Sequence, residues 1–436
     1  MSLTTNYRVR HEWASRGYDG KTCWVQCRAG AIPPGGAGRN TLPVVVMTMQ
    51  KLLLSGSDVF YELNEMRTND LAKTWSGPTP HKKTLGRRTD VDGLVSVICD
   101  ATPRWHAATG KLLSTGHVAQ YEGNALVHGE RRRATAYTVY NPASRTWTQW
   151  QTLVMPDMEG RFFNSGAGCT QRFDLENGDI LLPIYFKPRT PEHADPSGSL
   201  STVCRCRFDG TTLRYVEHGT ELACPEPRGF GEPSITRFKG RFFLTLRNDM
   251  RGYVTAGDDG LHYAVPRVWT FDDGAELGNY NTQQHWVTHG DALFLAYTRR
   301  GLNNDHVFRH RAPLVMAQVD PERLCVMRDT ERVVVPERGA RLGNFAVTEI
   351  SEHETWITVS EWMQNGGRGA RVMMEKIGRR KAGDPWPIRS GQNYAAECEC
   401  FGSDNTVWVS RLIWEKPNTV PFWMKRVAKK ADRKDS

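Results

Sequence analysis

The hydrophobic residues of this chain lie in short runs that are separated by polar, turn-forming segments. The runs are rich in β-branched and aromatic residues, as in 44–46 (Val-Val-Val) and 356–359 (Trp-Ile-Thr-Val), which is the composition of strands. No segment repeats its hydrophobic residues with the three-to-four-residue period of a long amphipathic helix. The pattern therefore predicts an all-β protein.

A strand-turn-strand unit recurs along the chain, and each unit carries an aromatic or Thr-Trp mark, such as Thr74-Trp75 or Thr146-Trp147. The marks lie roughly fifty to seventy residues apart, a spacing that suits four-stranded blades. We predict a β-propeller with six blades, and the chain length also fits seven. Residues 1–423 are predicted to form one domain, in which the strand near Trp24 to Arg28 completes the last sheet beside Thr406 to Trp414.

The formal net charge of +9 is partly carried by the C-terminus, because residues 424–436 contain six basic and two acidic residues. Like-charge blocks at a terminus are usually solvated, so we predict a disordered basic tail over 424–436 and no nucleic-acid partner. No apolar run approaches the ~20 residues of a membrane span, and the N-terminus has no signal-peptide pattern. We expect no membrane association, and the sequence leaves the compartment and the oligomeric state open.

Ten cysteines are present, and their spacings do not form the paired Cys-x-x-Cys units of a zinc site. Pairs such as Cys204 and Cys206 lie in segments with the composition of strands. We predict that most of the cysteines are buried thiols, and that the protein has neither a metal site nor a cofactor.

One segment has charged residues at both ends of a predicted hairpin. Glu232 begins the first strand, Lys239-Gly240 forms the turn, and Arg247 ends the return strand. A hairpin brings its two open ends to the same edge of a sheet. We therefore predict that Glu232 and Arg247 contribute to one site.

Two segments are similar to the turn motif known as the Asp-box, S/T-x-D-x-G-x-T-W. Residues 68–75 contain Asp70 and have Ala72 in place of glycine, and residues 256–263 contain Asp258 and Gly260. The aspartate of such a turn is expected to accept hydrogen bonds from local amides, and its aromatic residue to pack between blades. The order of glutamate strand, Gly turn, arginine and Asp-box resembles the core of the sialidase superfamily, and the resemblance extends from Arg28 to about residue 361.

The resemblance implies a sialidase-like propeller that binds an acidic sugar. In that family three arginines hold the sugar carboxylate, which a planar guanidinium group can bind in a bidentate manner. Arg28, Arg247 and Arg311 match these positions, with Arg309 as the competing choice for the third.

The resemblance also implies catalytic residues. Asp58 lies shortly before the first Asp-box, where the family has its acid/base residue, and Glu232 matches the glutamate that activates a tyrosine nucleophile. The position of that tyrosine is occupied by Phe345, which has no oxygen with which to attack. Tyr280 is then the tyrosine best placed by its motif to replace it.

Four histidines lie in polar segments at predicted strand ends, where propellers bind their ligands. We predict a catalytic role for His285 and roles in substrate binding for His106, His117 and His306.

Three functions follow from these residues. The first is an exo-acting glycosidase that removes a terminal acidic sugar, either sialic acid or a uronate, from an oligosaccharide or polysaccharide. The second is a polysaccharide lyase, in which a histidine or tyrosine base removes a proton beside a uronate carboxylate that arginine neutralises. The third is a carbohydrate-binding propeller without catalysis.

Overall fold

The computed structural model describes residues 5–54, 58–91, 93–127, 132–156, 159–189, 198–364 and 394–419. The predicted tail at 424–436 lies outside these residues. Within them, none of the helices has the length and apolar character that crossing a membrane requires.

The strands of the described residues form six sheets, which we number I to VI along the chain. The N-terminal strand β1 (Tyr7–Ser15) belongs to sheet VI. Sheet I consists of β2 (Thr22–Ile32), β3 (Val44–Leu53), β4 (Phe60–Thr68) and β5 (Ser76–Pro80) in that order. The short helix α1 (Lys82–Leu85) leads to sheet II. Sheet II consists of β6 (Arg88–Val91), β7 (Leu94–His106), β8 (Lys111–Glu122), β9 (Ala125–Leu126), β10 (Thr135–Asn141), β11 (Thr146–Trp147) and β12 (Gln151–Thr152).

The remaining four sheets follow in the same manner. Sheet III consists of β13 (Asn164–Gly166), β14 (Phe173–Asp174), β15 (Ile180–Lys187), β16 (Gly198–Phe208), β17 (Leu213–His218) and β18 (Arg228–Gly229). Sheet IV consists of β19 (Gly231–Phe238), β20 (Arg241–Arg247), β21 (Tyr253–Gly257) and β22 (Arg267–Val268). Sheet V consists of β23 (His285–Thr288), β24 (Leu293–Tyr297), β25 (Leu314–Asp320), β26 (Cys325–Val326) and β27 (Arg332–Val335). Sheet VI consists of β28 (Ala346–Ser351), β29 (Glu354–Ser360), β30 (Val407–Trp414) and β1. Two 3₁₀ turns (Phe308–His310 and Arg328–Thr330) and helix α2 (Tyr394–Cys400) complete the assigned elements.

The sheets contact one another in a circle. Strand β2 contacts β7, β8 contacts β13, β15 contacts β19, β19 contacts β23, β23 contacts β28, and β28 contacts β2. One strand or strand segment of each sheet therefore lies next to a common axis, which is the arrangement of a propeller. We call these the inner strands: β2, β7, β13 with β14, β19, β23 and β28. The prediction of an all-β, propeller-like fold is confirmed.

The ring is closed by a different strand from the one that the sequence predicted. Strand β1 pairs antiparallel with β30, with Tyr7 opposite Trp414. Residues Trp24 to Arg28 instead lie in β2, which pairs with β3 and begins sheet I. The prediction failed because both segments have strand composition, and only the pairing across the chain distinguishes them.

Hydrophobic side chains fill the spaces between neighbouring sheets. One cluster, for example, joins Leu181 and Val203 of sheet III to Ile235 and Leu244 of sheet IV, and each of these side chains is at most 1% exposed. Burying a side chain of this size contributes about 1.5–3 kcal/mol. These layers between the sheets fix the positions of the inner strands, on which the candidate site is built.

The turn at residues 68–75 has the hydrogen bonds expected of it. The Asp70 carboxylate accepts hydrogen bonds from the Thr74 amide (3.0 Å) and from the hydroxyls of Thr74 (2.6 Å) and Thr68 (2.8 Å). Desolvation works to raise the pKa of Asp70, but these bonds outweigh it and lower the pKa to about 2. Ala72 adopts a positive φ of 67° at the glycine position, and Trp75 of sheet I packs against Trp356 of sheet VI.

The second turn uses a neighbouring carboxylate. Asp259, and not the predicted Asp258, accepts hydrogen bonds from the amides of Leu261 (2.9 Å) and His262 (2.8 Å). Gly260 has a φ of 80°, as the motif requires. The sequence Asp258-Asp259 allows either residue to take the role, and the register between β21 and the turn selects the second.

Candidate functional site

Five of the six sheets share a backbone distortion within the inner strand or just before it. At this point a residue other than glycine has a positive φ. These residues are Gln26 (57°), Asp100 (52°), Cys169 (58°), Glu232 (44°) and Asn281 (51°). The pairing is bulged at Val25/Arg28, Cys99/Thr102 and Gly231/Ser234. Such strain is concentrated at functional sites, where a bulge re-aims side chains. The repetition around the ring indicates a site at this end of the inner strands.

Arg28 lies at the centre of this end and connects its own sheet I to the four sheets II, III, V and VI. Its guanidinium group donates hydrogen bonds to Asp100 Oδ1 (3.2 Å) and Cys169 Sγ (2.9 Å), to Gln283 Oε1 (3.5 Å) and to the Phe345 carbonyl (3.3 Å). The residue is 0% exposed. It is therefore an internal cation at the axis of the ring.

Glu232 and Arg247 are in contact, as we predicted from the hairpin that joins them. Arg247 donates to Glu232 Oε1 (2.5 Å) and also to Asp249 Oδ1 (3.3 Å) and Asn281 Oδ1 (3.1 Å). Arg311 donates to the same Asn281 side chain (3.1 Å) and to its carbonyl oxygen. Sheets IV and V thus bring Glu232, Arg247 and Arg311 together.

The charges of these residues act on one another. Burial works to lower the pKa of Arg28, but the neighbouring Cys169, Asp100 and Glu232 outweigh it and raise the pKa. Burial also works to lower the pKa of Arg247, and Glu232 and Asp249 reverse the shift. The structure therefore brings Arg28, Arg247, Arg311 and Glu232 into one cluster, which we call the arginine cluster.

On one side of the arginine cluster, the positive charge of the arginines is not fully neutralised by their neighbours. Burial and the charges of Arg309 and Arg247 hold the pKa of Arg311 well below its usual value. Burial and the charges of Arg247 and Arg341 lower the pKa of Arg309 to about 10. Among the described residues, the buried Nε atoms of Arg28, Arg309, Arg311 and Arg341 have no hydrogen-bond partner. An anion placed here would relieve both the repulsion and the unsatisfied donors.

A second group of side chains adjoins Arg28 on the side of sheets II and III. Asp100 accepts a hydrogen bond from Cys169 Sγ (2.8 Å) and lies 4.0 Å from His117 Nε2. The other ring nitrogen of His117 lies 3.5 Å from the Tyr185 hydroxyl. Sequence reasoning selected His117 but missed Asp100, Cys169 and Tyr185.

Tyr185 is a phenol in the field of Glu232. Burial, opposed by Arg133 and assisted by Glu232, raises the pKa of Tyr185. Arg133 donates to its hydroxyl (3.3 Å), and the guanidinium group lies over its ring at 4.3 Å. Tyr185 is consequently a neutral phenol whose pKa responds to the charge of Glu232.

Phe345 and His285 form part of the packed support behind Arg28. Their rings meet edge to face with centroids 5.1 Å apart, and His285 Nδ1 lies 2.9 Å from the Ser234 hydroxyl. Burial and the charge of Arg28 lower the pKa of His285 to about 3. His285 is therefore a neutral, enclosed imidazole rather than one that faces solvent.

Tyr280 and Asp58 lie in different surroundings. The Tyr280 hydroxyl is 2.5 Å from His310 Nδ1, and its ring lies under Arg300, so this phenol points to His310. Asp58 is exposed, just before β4. Its negative charge contributes to the raised pKa of Asp100, which is caused first by burial.

His106 and His306 lie away from the arginine cluster, contrary to the prediction. His106 ends β7, six residues beyond Asp100, where its ring bonds Thr109 Oγ1 (2.8 Å) and the Gly178 carbonyl (2.9 Å). His306 Nε2 lies 3.0 Å from a carboxylate oxygen of Glu337, and its ring stacks on Phe401. Both histidines satisfy local packing, which residue type alone could not distinguish from a binding role.

The overall structure is similar to those of sialidases. Trypanosoma rangeli sialidase aligns with a TM-score of 0.55 and 12% identity, over 100% of this chain and 63% of that chain. Phage phi92 endosialidase aligns with a TM-score of 0.54 and 9% identity, over 96% of this chain and 70% of that chain. NanB sialidase from Streptococcus pneumoniae aligns with a TM-score of 0.50 and 11% identity, over 80% of this chain and 67% of that chain.

These likenesses show that the chain has a sialidase-like fold. The chain spans less than two thirds of the length of the Trypanosoma rangeli sialidase that it matches. No protein-family model matches the sequence, and a comparison with curated proteins also gives no match.

Proposed function

We propose that this protein is a glycoside hydrolase of sialidase type that acts on a terminal acidic sugar, and that each of its six sheets is one blade of the propeller. The observation that carries the proposal is the convergence of Arg28, Arg247 and Arg311 on Glu232 from three sheets. Guanidinium groups gathered beside one carboxylate are suited to an anionic substrate.

The excess of positive charge supports a carboxylate as the ligand. Arg311 and Arg309 repel each other in a buried setting, and their Nε donors are unpartnered among the described residues. A planar carboxylate accepts two parallel hydrogen bonds from such a group. One of the similar structures is that of Trypanosoma rangeli sialidase in complex with sialic acid, with a TM-score of 0.52, and this supports an acidic sugar for the present chain as well.

In the proposed reaction Tyr185 replaces the tyrosine that Phe345 cannot supply. The Tyr185 oxygen attacks the anomeric carbon while Glu232 accepts the phenol proton, and the bond to the leaving oxygen breaks as Asp58 protonates that oxygen. Water, deprotonated by Asp58, then releases the sugar from Tyr185, which recovers its proton from Glu232. Most retaining glycosidases use one carboxylate as the nucleophile and another as the acid/base, whereas sialidases use a tyrosine as the nucleophile. The support is the position of the Tyr185 phenol in the field of Glu232.

A lyase is the second candidate, and the contact between Tyr185 and His117 favours it. The two side chains lie 3.5 Å apart beside Arg133, so a phenol and an imidazole adjoin a guanidinium group. This combination could remove a proton next to a neutralised uronate carboxylate. In that reaction a carbon-carbon double bond forms as the glycosidic bond breaks.

The test is incubation with a panel of sialylated and uronate-containing glycans, followed by mass spectrometry of the products. Hydrolysis adds one water to the products, whereas elimination adds none and creates an ultraviolet-absorbing double bond.

The Arg247→Lys variant should lose activity. Arg411→Lys is the matched control, because Arg411 forms a buried ion pair with Glu354 on sheet VI (2.9 Å). Glycan binding without a product would favour the non-catalytic alternative, and neither binding nor product would overturn the proposal.

A further inference from the structure

We propose that Cys99, Asp100 and His117 form a binding site for one thiophilic divalent cation, with Zn²⁺ as the representative ion. The thiol, carboxylate and imidazole donor atoms all lie within 4.8 Å of one another. Cys99 Sγ is 3.2 Å from His117 Nε2, and that nitrogen is 4.0 Å from Asp100 Oδ2. The site goes beyond the proposed hydrolase and does not depend on it.

The fold explains how these three donors meet. Cys99 on β7 and His117 on β8 are directly opposite partners in the antiparallel pairing, and side chains in such pairs are neighbours. Asp100 would ordinarily point to the other face of the strand. Its positive φ of 52° and the bulge between Cys99 and Thr102 turn it toward the same donors. Sequence spacing could not show this arrangement, because Cys99 and His117 are separated along the chain.

The distances are compatible with a tetrahedral ion. Zn–S bonds of about 2.3 Å and Zn–N bonds of about 2.0 Å place sulfur and nitrogen roughly 3.5 Å apart in a tetrahedron. The observed separations of 3.2 and 4.0 Å require only small movements. Three protein ligands leave a fourth position open, which is the pattern of zinc sites that bind water or substrate.

The surrounding residues orient the imidazole. Tyr185 lies against Nδ1 of His117 (3.5 Å), so a proton on Nδ1 can be donated to the phenol oxygen and Nε2 is left as the ligand. A hydrogen bond to the second ring nitrogen is the usual support of a metal-bound histidine. A Cβ at Gly168 would lie 1.9 Å from Nδ1, and one at Gly166 would lie 2.8 Å from the His117 Cβ. These glycines allow the ring to occupy its position.

The donors also supply negative charge to the ion. A Cys99 thiolate and the Asp100 carboxylate, which is shared with Arg28, carry two negative charges, and the neutral imidazole adds none. Asp100 can keep Oδ1 on Arg28 (3.2 Å) and Cys169 (2.8 Å) and use Oδ2 for the metal. The binding step releases one proton, from the Cys99 thiol.

The experiment uses the full chain, first treated with a chelator and then titrated with Zn²⁺ by calorimetry in two buffers that differ in ionisation enthalpy. We expect one Zn²⁺ per chain and about one proton released. Replacement of Zn²⁺ by Co²⁺ should give a sulfur-to-cobalt charge-transfer band. Cys99→Ala and His117→Ala should abolish both signals, and Cys325→Ala, which removes another buried thiol on sheet V, should retain them.

A second, milder pair of variants keeps the proposal testable if the alanine variants fail to fold. Tyr185→Phe removes only the hydroxyl beside His117 and should weaken Zn²⁺ binding by about 10- to 100-fold, whereas Tyr140→Phe should not change it. Absence of stoichiometric binding by the unchanged chain would overturn the proposal, as would equal affinity in Cys99→Ala. These readouts measure metal directly, so they are independent of any glycosidase activity.

Discussion

Both ends of the inner strands contain buried arginine side chains, but the two ends differ in how the charge of these side chains is neutralised. Strand β7 (Leu94–His106) passes from Asp100 to His106, β23 runs from His285 to Thr288, and β28 (Ala346–Ser351) passes from Ala346 to Glu349. The first end carries the arginine cluster. The other end opens into a cavity of about 240 Å³ that is lined by residues including His106, Asp174, Thr288 and Glu349. We call these the arginine end and the cavity end.

Arg172, near the cavity end, is fully engaged by its own fold. It bonds Asp174 Oδ1 (2.9 Å), the Leu113 carbonyl (2.6 Å) and the Arg104 carbonyl (3.1 Å). Arg311, at the arginine end, bonds only Asn281 in the interactions described above, and its pKa is lowered by burial and by Arg309. Removing the partners of a paired buried cation destabilises a fold, whereas a buried cation that is not fully neutralised favours the binding of an anion. Charge balance, and not cavity size, is therefore the reason why we propose the arginine end as the anion-binding end.

Glutamate-to-glutamine changes should give the largest contrast between the two ends. Glu232→Gln removes the proposed proton acceptor of Tyr185 and should lower kcat by about 10²- to 10⁴-fold with a smaller change in KM. Glu349→Gln alters a carboxylate that lies 3.5 Å from Arg104 at the cavity end and should leave kcat nearly unchanged. Steady-state kinetics on a cleaved glycan measures both. Equal losses in the two variants would remove the distinction between the ends.

Arginine-to-lysine changes should separate binding from stability. Arg311→Lys loses the planar fork for the sugar carboxylate and should raise KM by about 10- to 100-fold, with a small effect on the free energy of unfolding. Arg172→Lys loses hydrogen bonds to Asp174 and to two carbonyls and should lower the free energy of unfolding by about 2–4 kcal/mol. Kinetics and denaturant unfolding measure the two quantities. A reversed pattern would mean that Arg311 is structural.

Histidine protonation should make both ends sensitive to acid. The pKa of His285 falls from 6.5 to about 3 on folding, so between these values the unfolded chain binds a proton that the folded chain does not. The free energy of unfolding therefore decreases as the pH falls through this window, by about 1.4 kcal/mol per pH unit for this group. In the His285→Asn variant, the slope of the free energy of unfolding against pH should be smaller by that amount.

His106 provides the comparison at the cavity end. Burial lowers its pKa as well, so His106→Asn should also flatten the dependence of stability on pH, in the same direction. Urea unfolding at a series of pH values measures the two slopes. A curve for His285→Asn that runs parallel to that of the unchanged chain would show that His285 takes up its proton equally in both states.

Local patterns predicted much of the fold. The short β-branched runs and the turn at Asp70 are local signals, because a strand or hairpin turn is set by residues a few positions apart. The prediction of the strand that closes the ring was wrong because this pairing is not local: β1 and β30 pair across almost the entire chain. The choice between Asp258 and Asp259 likewise depended on register.

The residues of the candidate site also divide into those that could be predicted from the sequence and those that could not. Glu232 and Arg247 were predicted to meet because one hairpin joins them, and Arg28 and Arg311 because of a family resemblance. Asp100, Cys169 and Tyr185 were missed because two separate sheets, II and III, bring them to Arg28 and Glu232. A usable signal was present: Gln26, Asp100, Cys169, Glu232 and Asn281 are each followed by a small residue or proline and then by a polar residue, as at Cys27-Arg28 and Pro233-Ser234.

The smallest expected effect concerns Phe345 at the arginine end, which the family resemblance of the sequence matches to the tyrosine nucleophile. Phe345→Tyr adds a hydroxyl to a side chain that is 0% exposed and packed on His285. A buried hydroxyl without a good partner should lower the free energy of unfolding by about 1–2 kcal/mol. Because Tyr185 is the proposed nucleophile, kcat should change by less than about threefold. Denaturant unfolding and steady-state kinetics test the two expectations, with Phe294→Tyr in the core of sheet V as the matched control. A large gain in kcat for Phe345→Tyr would instead mean that the arginine end is built around the position of Phe345, and that Tyr185 is not the group that attacks.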